Sequence, residues 1–98
     1  MPRSLNDHTT ALNIDNLMAL PQRFGCPVWA YDGDIIKQQI EKLREFDVIR
    51  FAQKACSNIH ILKLLSAEGI KVDSVSRGEL LRAMAAGYQP GGDEIVFT

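Results

Sequence analysis

Lys54 closes an apolar, β-prone run, Val48-Ile-Arg-Phe-Ala-Gln-Lys54, and a helix start follows it at once. A primary amine at the carboxyl end of a strand can condense with an aldehyde to give a Schiff base, if its nitrogen is neutral for part of the cycle. Alternation along a strand puts Val48, Arg50, Ala52 and Lys54 on one face and Ile49, Phe51 and Gln53 on the other. With Ile49 and Phe51 packed outward under helices, Lys54 points inward at the end of the strand where closed parallel sheets keep their active sites. Ala52, one layer lower, leaves room for a flat ring. Arg50 shares that face and has to reach a solvated mouth or a buried acid. Position alone favours a solvated strand-end lysine over a working one.

Other reactive side chains are sparse. Asp73 lies in a second strand-like run, where its carboxylate can accept local backbone hydrogen bonds. Ser76 and Glu79 have the Ser-x-x-Glu spacing of a capping box, so Glu79 reads first as a helix cap. Gly78 relieves crowding at that helix start. Cys26 and Cys56 have no paired spacing, and neither His8 nor His60 has a companion that would complete a metal site.

The elements that must position Lys54 follow a rhythm. A short helix covers 14–20, capped near Asn13 or Asp15 and limited by Pro21. After a turn at Gly25-Cys-Pro27, residues 28–31 read as a short strand into which Trp29 and Tyr31 pack. Asp32 or Asp34 caps a helix whose apolar stripe is Ile35, Ile36, Ile40, Leu43 and Phe46. Lys37, Glu41, Lys42 and Glu45 form its solvated side. Strand 48–54 comes next. Ser57 or Asn58 caps a helix bearing Ile61, Leu62 and Leu65, which Gly69 ends. Strand 70–75 leads to a helix starting at Ser76 and ending at Gly87, and strand 94–98 follows. Strands recurring about every 23 residues, with a helix between each pair, imply right-handed crossovers and a parallel sheet.

The fold class is therefore α/β. Ile95-Val-Phe97 reads as a buried strand with nothing to cover it, and parallel strands are normally covered on both faces. The expectation is the N-terminal part of a (β/α)8 barrel, truncated after about three barrel strands, since the whole needs about 250 residues. A complete small three-layer domain is the rival.

Composition excludes several classes. The 98 residues are 46% hydrophobic and 23% charged, with a net charge of −1. There is no basic stripe for nucleic acid and no polybasic membrane patch. No apolar run spans a bilayer, the first residues lack a signal-peptide core, and two cysteines without CxxC or metal spacing fit a reducing cytoplasm.

Phe51-Ala-Gln-Lys-Ala55 resembles the Tyr-Ala-x-Lys-Ala signature of pyridoxal-phosphate enzymes with an alanine-racemase-like barrel, and more narrowly of their amino-acid decarboxylase branch. Gly25-Cys-Pro-Val-Trp-Ala-Tyr-Asp32 is similar to that branch's Gly-Thr-Pro-x-Tyr-Val-Tyr-Asp, and Val72-Asp-Ser-Val-Ser-Arg-Gly-Glu79 to its Asp-x-x-Ser-x-Gly-Glu. Gly69, Ala86-Gly-Tyr88 and strand 94–98 fit in the same order. Phe51 departs from the usual tyrosine, and Cys56 from the usual asparagine.

The resemblance implies pyridoxal 5'-phosphate held by Lys54, beside Ala52, with Asp73 and Glu79 as weaker cofactor-site candidates. It implies decarboxylation of an amino acid. Gln53-Lys-Ala-Cys-Ser-Asn58 is most similar to members that convert meso-2,6-diaminopimelate to L-lysine and carbon dioxide. Ornithine or arginine decarboxylation, and a non-catalytic regulatory relative, are the alternatives. It further implies a cytoplasmic homodimer with shared sites. Residues 1–31 would be a leader, short helix and strand that joins a C-terminal β-domain, and residues 32–98 the first βα units of the cofactor barrel. The phosphate loop, the acid facing the pyridine nitrogen and the ring-stacking histidine of such enzymes are absent, so these residues alone are expected to be inactive.

Overall fold

The computed structural model describes residues 13–98. His8 and the polar leader lie outside them. The chain divides into two compact units, Met1–Ile40 and Glu41–Thr98.

In the first unit, helix α1 runs Ile14–Phe24. Asn13 caps it, its Oδ1 accepting from the Asn16 N–H at 2.9 Å. Pro21 does not limit this helix, contrary to expectation, but lies inside it. A proline ring already has a helical φ, so the cost is confined to the lost N–H and crowding of the preceding turn. Gly25, at φ +72°, ends the helix four residues later than its Pro signal suggested. Residues 28–31 form no strand. Their β propensity has no partner to pair with among the described residues, and propensity without a ladder does not make a strand. Trp29 is 91% exposed and Tyr31 is exposed too, so neither packs as expected. Helix α2, Gly33–Glu41, starts where Asp32 accepts from the Asp34 N–H at 2.9 Å. It stops before Leu43 and Phe46, which are exposed and do not extend its buried stripe.

The second unit is a three-stranded parallel sheet, β1 (Arg50–Ala52), β2 (Lys71–Ser74) and β3 (Ile95–Phe97), in that spatial order. Helix α3 (Ile59–Ala67) connects the first pair and α4 (Arg77–Ala85) the second. Crossovers of this hand put both helices on one face of the sheet. Leu62, Leu65, Ile70, Val72, Ala83, Ala86 and Tyr88 form the core there.

Both βα units end their helices in the same way. After α3, Gly69 N–H donates to the Ser66 carbonyl and Ile70 N–H to the Leu65 carbonyl. After α4, Gly87 N–H donates to Met84 and Tyr88 N–H to Ala83. This is the Schellman arrangement, which needs a left-handed residue, and Gly69 and Gly87 have φ of +78° and +109°. In each case the following apolar residue, Ile70 or Tyr88, is buried with its partner three positions inside the helix. The Tyr88 hydroxyl donates to the Ile70 carbonyl at 2.6 Å, which ties the two stops together. Burial, with a smaller contribution from Glu94, pushes the Tyr88 phenol up to about 12.

Candidate functional site

The strand expected over 48–54 is shorter. Pairing begins with the Lys71 N–H on the Ile49 carbonyl at 3.0 Å, and the strand ends at Ala52. Gln53–Ala55 form a single 3₁₀ turn, closed by the Cys56 N–H on the Gln53 carbonyl at 3.1 Å. The turn ends strand alternation, so the direction of Lys54 comes from the turn and not from parity with Ala52.

Lys54 is exposed. Its amine makes no hydrogen bond or ion pair with any described residue. It stands just beyond the carboxyl end of β1, and in a parallel sheet the carboxyl ends of all three strands lie together.

Register places the other candidates. Ala52 pairs with Asp73 and Asp73 with Val96, in one row across the sheet. Val72 and Ser74 are buried under the helices, so this row lies on the opposite face, together with Arg50 and Lys71. Ala52 and Asp73 are thus cross-strand neighbours one step before the turn that bears Lys54. The Thr98 hydroxyl donates to Asp73 Oδ1 at 2.7 Å, which orients that carboxylate.

Glu79 is occupied as a cap. Its N–H donates to Ser76 Oγ at 3.2 Å, and its Oε1 accepts from the Val75 N–H at 3.1 Å. The serine half of the capping box forms as expected. The glutamate half reaches one residue further back than the standard box, which binds the cap residue's own N–H.

Arg50 meets neither a solvated mouth nor a buried acid. Its guanidinium donates to the carbonyls of Val72 (2.9 Å), Asp93 (3.0 Å) and Glu94 (3.3 Å). It clamps the start of β3 onto the sheet. Lys71 beside it pairs with Asp93, and that hydrogen bond holds the Asp93 carboxyl below the usual range.

Gln53 was placed with Ile49 and Phe51 by parity and given no role. It is fully buried. Its Nε2 donates to Ser57 Oγ at 2.9 Å and to the Glu79 carbonyl at 2.5 Å, and its Oε1 accepts from the Ser74 hydroxyl at 2.7 Å. A glutamine on the strand face it shares with Ile49 and Phe51 was the available signal, since buried amides need partners.

Ile95-Val-Phe97 was expected to be buried. Instead Val96 and Phe97 are exposed, because β3 is the sheet edge and no described residue covers them. Cys26 and Cys56 remain thiols. Among the described residues no cluster of His, Cys, Asp and Glu could hold a metal, and no helix is long and apolar enough to cross a membrane.

Residues 32–98 match the family model described as pyridoxal-dependent decarboxylase, pyridoxal binding domain. Over its whole length the chain is 61% identical to a diaminopimelate decarboxylase of Escherichia coli strain K12, covering 24% of that protein. It is 53% identical to one from Buchnera aphidicola subsp. Schizaphis graminum, with the same coverage. The chain thus spans about a quarter of the length of these relatives. A crystal structure of a diaminopimelate decarboxylase superposes with a TM-score of 0.85 at 60% identity, covering 98% of this chain and 23% of that one. Parallel strands alternating with helices, as here, are how the barrel of such enzymes begins, and the chain belongs to the pyridoxal-dependent decarboxylase family.

Proposed function

We propose that, in the full-length protein, Lys54 bears pyridoxal phosphate and that the enzyme converts meso-2,6-diaminopimelate to L-lysine and carbon dioxide. The observation that supports this reading best is the Lys54 amine, exposed and without a partner among the described residues, at the carboxyl end of a parallel sheet. An amine already engaged in an ion pair would have to break it before condensing. The described residues fit the cofactor in two further respects. Ala52 brings the smallest chiral side chain to the face before the turn, and Asp73 brings an oriented carboxylate beside it.

In this reading Lys54 holds the cofactor through its nitrogen and carries protons to and from the substrate carbon. Asp73 balances the positive charge there, with its free oxygen directed by the Thr98 contact. Glu79 serves by keeping α4 and the loop after β2 in place. When bound, the cofactor supplies an electron sink for the carbanion left by loss of carbon dioxide. The substrate is assigned from the identity to diaminopimelate decarboxylases over the whole chain.

The same reading makes the full-length protein a cytoplasmic homodimer with shared sites. Residues 1–31 then serve a second domain, and residues 28–31 become a strand only against a partner ladder from it. Residues 32–98 open the cofactor barrel. These 98 residues are inactive by themselves, because the groups that anchor the phosphate and the pyridine nitrogen lie elsewhere in the protein.

The test is a substrate comparison. Full-length protein is given meso-2,6-diaminopimelate, ornithine and arginine in turn, and carbon dioxide and diamine or lysine products are measured. Lysine from diaminopimelate as the dominant product supports the proposal. Preference for ornithine or arginine overturns the substrate, and no turnover of any of them overturns the enzymatic reading.

A further inference from the structure

We propose that Gln53 is the positioning residue for the Lys54 amine, an inference that rests on Lys54 being the cofactor-bearing lysine. Gln53 is 0% exposed, although it is adjacent in sequence to the exposed Lys54. Its amide meets three separate pieces of the molecule: Ser57 beyond the turn, Ser74 at the end of β2, and the Glu79 carbonyl in the first turn of α4. Both amide hydrogens and a lone pair of the oxygen are thereby used. No buried side-chain polar atom among the described residues lacks a partner.

A methionine or leucine would fill similar space with no polar demand. The amide adds direction. Apolar contacts are non-directional, whereas hydrogen bonds weaken steeply away from their preferred angles. Three such bonds fix the 3₁₀ turn in rotation as well as in position. Lys54 is the next residue of that turn, and its own side chain is tethered by nothing described. Its placement therefore comes from the backbone of the turn. A small rotation there is amplified along a four-carbon side chain, and reactivity is steep in misplacement of the reacting atom.

The experiment compares labelling between lysines. Full-length protein is treated with limiting pyridoxal phosphate and borohydride, and peptide mapping gives the initial rate of labelling at Lys54 relative to Lys63. Gln53→Met should lower that ratio by about tenfold. Ser74→Ala, which removes one of the three bonds, should lower it less. Tyr88→Phe removes a buried hydrogen bond elsewhere in the unit and should leave the ratio unchanged. If Gln53→Met does not fold, the comparison of Ser74→Ala with Tyr88→Phe carries the same test. An unchanged ratio in the Gln53 and Ser74 variants overturns the positioning role alone, as does an equal fall in Tyr88→Phe. Wild-type protein labelled elsewhere than Lys54 overturns the lysine assignment, and this inference with it.

Discussion

On one face of the sheet, Val72 and Ser74 are buried beneath helices and Gln53 closes the layer with a fully bonded amide. On the other, Ala52 is exposed and Arg50, Lys71 and Asp73 are half-buried. The same two strands build both faces. The helix face is the source of stability, because each large apolar side chain fully withdrawn from water contributes about 1.5–3 kcal/mol. The open face carries an oriented carboxylate and a small neighbour, and the turn just beyond it bears an exposed amine with no partner among the described residues. The contrast shows how one strand can be held rigidly from behind while its front remains available.

If this division is right, substitutions on the two faces should fail differently. The largest effect is expected from Lys54→Ala in the full-length protein, which should lower turnover by at least ~10³-fold while leaving the melting transition nearly unchanged. Steady-state kinetics and calorimetry on one preparation check both halves. Turnover near wild type would remove the front face from the chemistry.

Leu62→Ala is the converse. Leu62 is fully buried in the helix layer, and its truncation should cost about 2–5 kcal/mol. Denaturant unfolding measures the loss. The residual folded protein should still label at Lys54, and loss of labelling beyond the loss of fold would mean that the two faces are not separable.

The smallest effect sharpens the comparison through pH. The Tyr88 phenol is pushed up to about 12 in the folded protein, whereas an unfolded tyrosine ionises near 10. The neutral form is therefore favoured by folding. Its stabilisation is complete below pH 10 and is lost as pH rises through about 12. Tyr88→Phe should cost about 1–2 kcal/mol at neutral pH, and the stability gap from wild type should close over that alkaline window. A gap that is flat with pH would mean that the hydroxyl is not buried as described.

Much of this architecture is written locally. Asn13, Asn58 and Ser76 each cap the helix they precede, and Gly69 and Gly87 each stop one, because caps and left-handed stops depend on residues within one turn. The order of strands follows from the alternation of elements. Less legible was whatever depends on distant partners. β1 stops at Ala52 because Gln53 turns inward to Ser74 and Glu79, residues more than twenty positions away. Arg50 finds its acceptors on backbone carbonyls contributed by β2 and the approach to β3. Residues 28–31 have strand propensity and no ladder. Pro21 is compatible with α1 only because the loss of one N–H is tolerated there. At the site, Lys54 was visible from its type and its place at a strand end. The turn that carries it was not, since alternation predicts a strand through to the lysine.

The central claim is that the Lys54 nitrogen, presented by a turn fixed from behind, is the one that takes the cofactor. Reduction of the pyridoxal-phosphate-loaded, full-length protein with borohydride, followed by peptide mass mapping, tests it most directly. The prediction is a pyridoxyl group on Lys54 at close to one per chain. A label on Lys63 or Lys71, or none on this chain, would contradict it.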